Sequence, residues 1–291
     1  MTTIGPKSTT KLNVLAWHRS DVEQKLGFRG GRFTRANSLL SFLIALLATA
    51  IFYSLMEFVF KESAIGQIFT ERGYTPYLMS VLFMWSLAMI FFKWRKLCFQ
   101  RRSLKIEIVP AQNDFVLSAS TVDQVMSRLI GAVDDPKKFL LLNRIQTALS
   151  NFRNLGRVTD VDEMLRSQAD LDESSMQTSY SLLRGFIWAV PVLGFIGTVV
   201  GLSKAIGKFG DAVGNSSDAE ALKEQLPQVT NGLHMAFDTT LIALLFALLL
   251  QLLVTFLHKN EEEFLDDCSE YCQKNVVSKL RIMPFDAEAE T

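Results

Sequence analysis

The stretch Leu182–Ile206, LLRGFIWAVPVLGFIGTVVGLSKAI, decides what kind of protein this is. It exceeds the ~20 apolar residues needed to cross a hydrocarbon core, which implies a transmembrane helix. A matching stretch, LHMAFDTTLIALLFALLLQLLVTFL, occupies Leu233–Leu257. Two more precede them: LLSFLIALLATAIFYSLMEFVF at Leu39–Phe60 and the shorter PYLMSVLFMWSLAMIFF at Pro76–Phe92, where Trp85 and flanking aromatics suit an interface-anchored span. A long basic leader precedes the first span and no small-residue cleavage site follows it, which argues against a signal peptide. The expected fold class is an all-α integral membrane protein with four transmembrane helices, the last two extended into a cytoplasmic helical stalk.

Bulk composition agrees. Apolar residues make up 49% of the 291, while 30 basic and 30 acidic side chains cancel. A balanced charge excludes a nucleic-acid binder or an acidic tail by composition, so no nucleic-acid partner is expected. Placement of charge says more. Lys7, Lys11, Arg19, Lys25, Arg29, Arg32 and Arg35 precede the first span, and Lys93, Arg95, Lys96, Arg101, Arg102 and Lys105 follow the second. Only Lys61 and Arg72 lie between those spans. Positive residues stay in the cytoplasm, so both termini and the middle segment are expected there. The chain then divides into a basic cytoplasmic segment (1–38), the first two spans with a short outer loop (39–93), a cytoplasmic helical domain (94–181), the last two spans (182–258) and a cytoplasmic helical tail (259–291).

Within the middle segment, Val122, Val125, Met126, Leu129 and Ile130 repeat at helical spacing. So do Phe139, Leu142, Ile145 and Leu149, after an Asp135–Pro136 start signal. From Thr159 a charged amphipathic stretch runs into the third span, and the fourth continues into HKNEEEFLDDCSEYCQKNVVSKL. Cys98 stands alone, and Cys268 and Cys272 share a helix face, a pattern of reduced thiols rather than of a metal site or disulfide. No P-loop, zinc spacing or nucleophile elbow occurs, so neither an enzyme nor a bound metal or cofactor is expected.

Gly194, Gly197 and Gly201 clear one face of the third span, with Ala205 continuing the row, and Pro191 removes one of its hydrogen bonds. Small residues on a stripe permit close helix approach, between subunits or within one chain. In the fourth span, which Pro227 is placed to start, Ala236, Thr240, Ala243 and Ala247 form a second stripe beside Asp238, one turn after His234. An intramembrane carboxylate is a functional candidate and His234 a natural partner, although Asp238 lies near enough to the outer end to reach interfacial water. Thr198, Thr239 and Thr240 fall at one depth, which suits a hydrophilic constriction; threonines in membrane helices also simply bond their own carbonyls. Ion-path candidates are therefore Thr198, Thr239, Thr240, Asp238 and His234. At 100° per residue Asp238 and Thr240 point about 200° apart, so both cannot face one pore.

The run PVLGFIGTVVGL, Pro191–Leu202, resembles the PLLGLLGTVxGM signature of the ExbB/TolQ branch of the MotA/TolQ/ExbB proton channel family. The stretch GLHMAFDTTLIAL, Gly232–Leu244, resembles that family's AL-x-x-TA-x-GL helix. The resemblance implies a homopentameric ring around a dimer of an ExbD/TolR/MotB-like single-span partner bearing a membrane aspartate, in a bacterial inner membrane. It further implies an ion-driven, stator-like motor carrying H⁺ rather than Na⁺, with Thr198 and Thr240 lining the path. The chain departs from the pattern at Met235, Leu241, Ile242 and Ala243, and Asp238 is additional. Its four spans match the MotA plan while its signature matches ExbB/TolQ. Two other classes stay open on the residues alone: a secondary transporter, against which stands the missing inverted repeat, and a passive membrane scaffold.

Overall fold

The computed structural model describes residues 15, 17, 23, 31, 33–60, 63–70, 73–110, 115–155, 158–215 and 219–281. The expected cytoplasmic charges Lys7, Lys11, Arg19, Lys25, Arg29 and Arg32, and the loop charges Lys61 and Arg72, lie outside the described residues. Helices α1 (Ser38–Phe58), α2 (Ala64–Thr70), α3 (Thr75–Gln100), α4 (Ala119–Ala132), α5 (Leu140–Leu155), α6 (Val158–Ser179), α7 (Ser181–Asn215) and α8 (Ala219–Asn275) account for most of them. Extended pairing among the described residues is limited to isolated bridges, Leu15 with Val133 and Leu117 with Leu280. The protein is all-α, with four helices long and apolar enough to cross a membrane.

The chain forms two compact units. One holds residues 36–93 and 178–259, the other residues 1–35, 94–177 and 260–291. The first contains the spanning segments. Asn37 caps α1, accepting from the Leu39 and Leu40 amides at 3.0 and 3.4 Å, which satisfies donors the first turn cannot pair. Leu43, Leu47, Ile51 and Phe58 on α1, and Leu241, Leu245, Leu248, Leu252 and Phe256 on α8, are all exposed. Apolar side chains outward as well as inward are what a helix in lipid requires. Gly73, at φ 86°, turns the chain into α3 in a backbone region that glycine enters without steric cost.

Helix α3 packs on α1 through aromatic side chains. Tyr53 stacks on Tyr77 with centroids 4.3 Å apart and shares a 3.1 Å hydrogen bond with Ser80. Trp85 donates to the Ser38 carbonyl at 3.2 Å and sits against Phe42. The basic run after the second span is helical: α3 continues to Gln100, followed by a 3₁₀ turn over Arg101–Lys105. Two of its cations, Lys93 and Lys96, are buried, whereas Arg95, Arg102 and Lys105 are exposed. Lys93, only 1% exposed, donates to Ser179 at 2.8 Å and lies 4.2 Å from the Tyr180 ring centroid.

The second unit is built on an aromatic cluster. Trp17, Phe99 and Phe139 meet with ring centroids 5.4–5.6 Å apart. Val122, Val125 and Leu129 of α4 and Leu142, Ile145 and Leu149 of α5 are buried, whereas Ile130 is exposed. Asp135 accepts from the Lys137 amide at 3.1 Å, but it caps a 3₁₀ turn over Pro136–Lys138, and α5 begins only at Leu140. Buried Lys96 pairs with Glu23 at 2.6 Å and donates to the Arg35 carbonyl at 2.8 Å.

The last two spans are long. A single residue, Tyr180, separates α6 from α7, and the Arg184 amide still bonds the Tyr180 carbonyl at 2.9 Å. Helix α8 has 57 residues, about 85 Å at 1.5 Å per residue. It begins eight residues before Pro227, so that proline lies inside the helix instead of starting it.

Candidate functional site

Within the spanning unit, α7 and α8 run antiparallel and nearly touch. A Cβ placed on Gly194 would stand 2.4 Å from the Ala243 Cβ, and one on Gly197 2.8 Å from the Thr239 hydroxyl. One on Gly201 would stand 3.2 Å from the Ala236 Cβ, and one on Gly232 2.8 Å from the Ala205 Cβ. Residue numbers fall on α8 as they rise on α7, as an antiparallel pair requires. Any side chain larger than the one present would force these backbones apart.

The two helices carry the same pattern at the same spacing. Gly194, Gly197, Thr198 and Gly201 on α7 correspond to Ala236, Thr239, Thr240 and Ala243 on α8. At about 100° per residue, the contact positions of each helix point within about 60° of one another, and Thr198 and Thr240 each lie about 65° to one side. An equal offset in the same sense on two antiparallel helices directs both side chains to the same side of the pair. Thr198 and Thr240 are both half-buried there. Since Gly197 faces Thr239, the three threonines lie at one level.

Their roles in packing differ. Thr239 is fully buried against Gly197 and donates to the Ala236 carbonyl at 2.9 Å. Thr198 donates to the Phe195 carbonyl at 2.6 Å, and Thr240 to those of Ala236 and Gly194 at 3.3 and 3.5 Å. Each hydroxyl that spends its proton on a carbonyl keeps oxygen lone pairs with which to accept from water or hydronium. Two such oxygens on one side of an otherwise apolar helix pair form a short polar step.

His234 and Asp238 do pair, Nδ1 to Oδ2 at 2.8 Å, along one turn of α8. The His234 side chain is 67% exposed and that of Asp238 14%. Asp238 lies about 135° from the contact face, on the side away from Thr240. The structure thus brings Thr198, Thr239 and Thr240 together and sets His234 and Asp238 apart from them.

Pro191 is half-buried within α7, Gly194, Gly197 and Gly201 are buried at the contact, and Ala236 and Ala243 face them. Ala247 is half-buried. The contact row on α8 thus runs Gly232, Ala236, Thr239, Ala243, with Thr240 at its flank. Thr75, the first residue of α3, was not legible as part of this region. It is 3% exposed, with its hydroxyl 3.2 Å from where a Gly197 Cβ would be. Directly below it Met79, Val190 and Ala243 form a small core lined by Leu82, Leu193 and Phe246. Thr75 precedes the apolar run, so only the fold reveals its place.

No curated protein and no solved structure matches the chain. A family model does match, over residues 134–270, which takes in α5, α6, α7 and most of α8. Those are the elements that form the close antiparallel pair and flank it. The model is that of the MotA/TolQ/ExbB proton channel family, and over those residues the chain is similar to it.

Proposed function

We propose that this chain is the ring-forming subunit of a stator-like, proton-driven channel in a bacterial inner membrane. The observation that carries the reading is the shared side of Thr198 and Thr240 on two helices packed too closely to admit larger side chains. In a closed ring of copies, expected as a pentamer, that side would face the ion route. A single-span partner dimer with a membrane aspartate would hand protons to the hydroxyl step. Each proton crossing 100 mV releases about 2.3 kcal/mol, so a few per cycle can drive conformational work in the partner.

Orientation follows from charge. Arg95, Arg101, Arg102 and Lys105 follow α3's apolar part, which supports a cytoplasmic position for that end, for both termini and for residues 94–181. No enzymatic step is needed; the work comes from the ion gradient. His234 and Asp238, turned away from the threonines, would meet a neighbouring copy or the outer interface.

The test is proton flux in liposomes, with the protein reconstituted beside the single-span product of its adjacent reading frame. Thr240→Val should lower flux about tenfold, the worth of one hydrogen bond of about 1.4 kcal/mol, and Thr198→Val should act likewise. Native mass spectrometry should find five copies holding two of the partner. A monomer, or flux that requires an added solute, would overturn the reading.

A further inference from the structure

The basic residues that follow Phe92 on α3 divide by the side they face. Lys93 and Lys96 turn inward and are buried, donating to Ser179 and Glu23. Arg101 pairs with Glu263 at 3.5 Å and donates to the Asn260 carbonyl at 2.8 Å. Arg95, Arg102 and Lys105 are exposed, and none of them has an ion-pair partner among the described residues. Trp94, 52% exposed, and the exposed Cys98 share their side. At 100° per residue, positions 94, 95, 98 and 102 fall within about 100° of arc. Phe91, one turn earlier and inside the apolar run, is exposed too.

This combination fits the phosphate layer of a bilayer. An exposed indole just past an apolar run is an interface anchor, its ring against hydrocarbon and its N–H toward headgroups. Arg95 stands three residues beyond Phe92, about 5 Å along the helix, and the headgroup layer is about 5–8 Å deep. Helical side chains lean toward the helix N-terminus, which for α3 is toward the membrane, so Arg102 and Lys105 reach back to the surface. A guanidinium meets a phosphate through two parallel hydrogen bonds and gives up its water more readily than an ammonium does. The chain itself offers no nearby competitor, since no Asp or Glu occurs from Arg72 to Ile106. An acidic protein segment would suit the cations, but not an aromatic pair continuous with the lipid-facing side of a span.

We propose that the outward side of α3 at Trp94, Arg95, Arg102 and Lys105 binds the phosphates of anionic phospholipids in preference to zwitterionic ones. Arg95 makes the main contact and Arg102 a weaker one. Lys105, farthest from the membrane and two residues from the exposed Glu107, adds least. The assignment rests on α3 crossing the bilayer and is independent of ion conduction.

Cys98, the exposed thiol on this side, supplies the reporter. The full chain carries a maleimide dye there and sits in lipid nanodiscs. Quenching by phosphatidylglycerol with a headgroup spin label is compared with quenching by spin-labelled phosphatidylcholine at equal mole fractions. One cation near an anionic surface is worth about fivefold, or about 1 kcal/mol. The preference for the anionic lipid is expected to be about tenfold. It should fall to about twofold in Arg95→Gln, persist in Arg95→Lys and vanish in Arg95→Gln/Arg102→Gln, while Lys105→Gln changes it by less than about twofold. All three side chains are exposed, so these variants should keep the wild-type Tm. Equal quenching by both lipids in the wild type, or a preference unchanged in the double variant, would overturn the proposal. So would its loss on adding a soluble hexaglutamate peptide at physiological salt, which would assign this side to an acidic protein segment. A lipid preference in protein that conducts no protons would uphold the proposal while ending the channel reading.

Discussion

Helix α8 meets its neighbours in two chemically different ways. In the spanning unit it meets α7 through Gly232, Ala236, Thr239 and Ala243, where shape alone limits approach. In the second unit, a charged residue of α5 joins it to α6, through Arg144 with Asp172 and Ser269. The difference follows from the solvent. In lipid there is no hydrophobic gain from helix association, and an unpaired charge is prohibitive, so contact depends on van der Waals fit. Outside lipid an enclosed ion pair is tolerable once both members are hydrogen-bonded, although losing one member strands the other.

The largest expected effect tests the charged contact. Arg144→Met leaves Asp172, only 10% exposed, without its cation and should cost about 3–5 kcal/mol. Thermal unfolding in detergent would record this as a markedly lower Tm. Adding Asp172→Leu should restore most of the loss, because the penalty is the stranded charge. No recovery in the double variant would mean the ion pair itself stabilises the unit.

Next comes the steric contact. Gly194→Val pushes side-chain atoms into Ala243 and should cost about 1–3 kcal/mol through overpacking. Gly194→Ala should cost less, and Gly194→Ala/Ala243→Gly should recover it, since the second change vacates the space the first fills. Circular dichroism melts of the set would decide; an uncompensated double variant would show that α7 and α8 do not touch there.

The smallest effect concerns the two thiols on α8. Burial pushes the Cys272 thiol up to about 11, against a smaller lowering by Arg144, and raises Cys268 as well. An unfolded thiol ionises near 8.5, so the folded state holds its proton over the pH range where the unfolded state loses it. Stability from this source is complete below about pH 8.5 and declines as pH rises toward 11. At pH 9 the loss relative to Cys272→Ala should stay below about 1 kcal/mol. Maleimide at pH 7.5 should label exposed Cys98 and spare Cys268 and Cys272.

Much of this was legible without coordinates. Four apolar runs announced the spans because hydrocarbon demands length and uninterrupted apolarity, both one-dimensional properties. Gly194, Gly197 and Gly201 announced a close contact because their spacing matches a helical face. The α8 side of that contact was harder to read. Ala236, Thr240, Ala243 and Ala247 form as good a stripe on paper, yet Thr239 is the threonine set against Gly197. A register between two helices depends on where both are held, and here Thr75 and the Met79–Val190–Ala243 core hold them.

By itself, then, the sequence determined an all-helical membrane chain, its small-residue faces and its family resemblance, because local periodicity and composition carry those. Tertiary structure alone decided which threonine is packed and which is half-open, and that Lys93 and Lys96, of the basic residues after the second span, are buried. It also decided that Arg144, Asp172 and Ser269, far apart in the chain, meet. Such partners are set by three-dimensional closure, and no spacing along the chain encodes them.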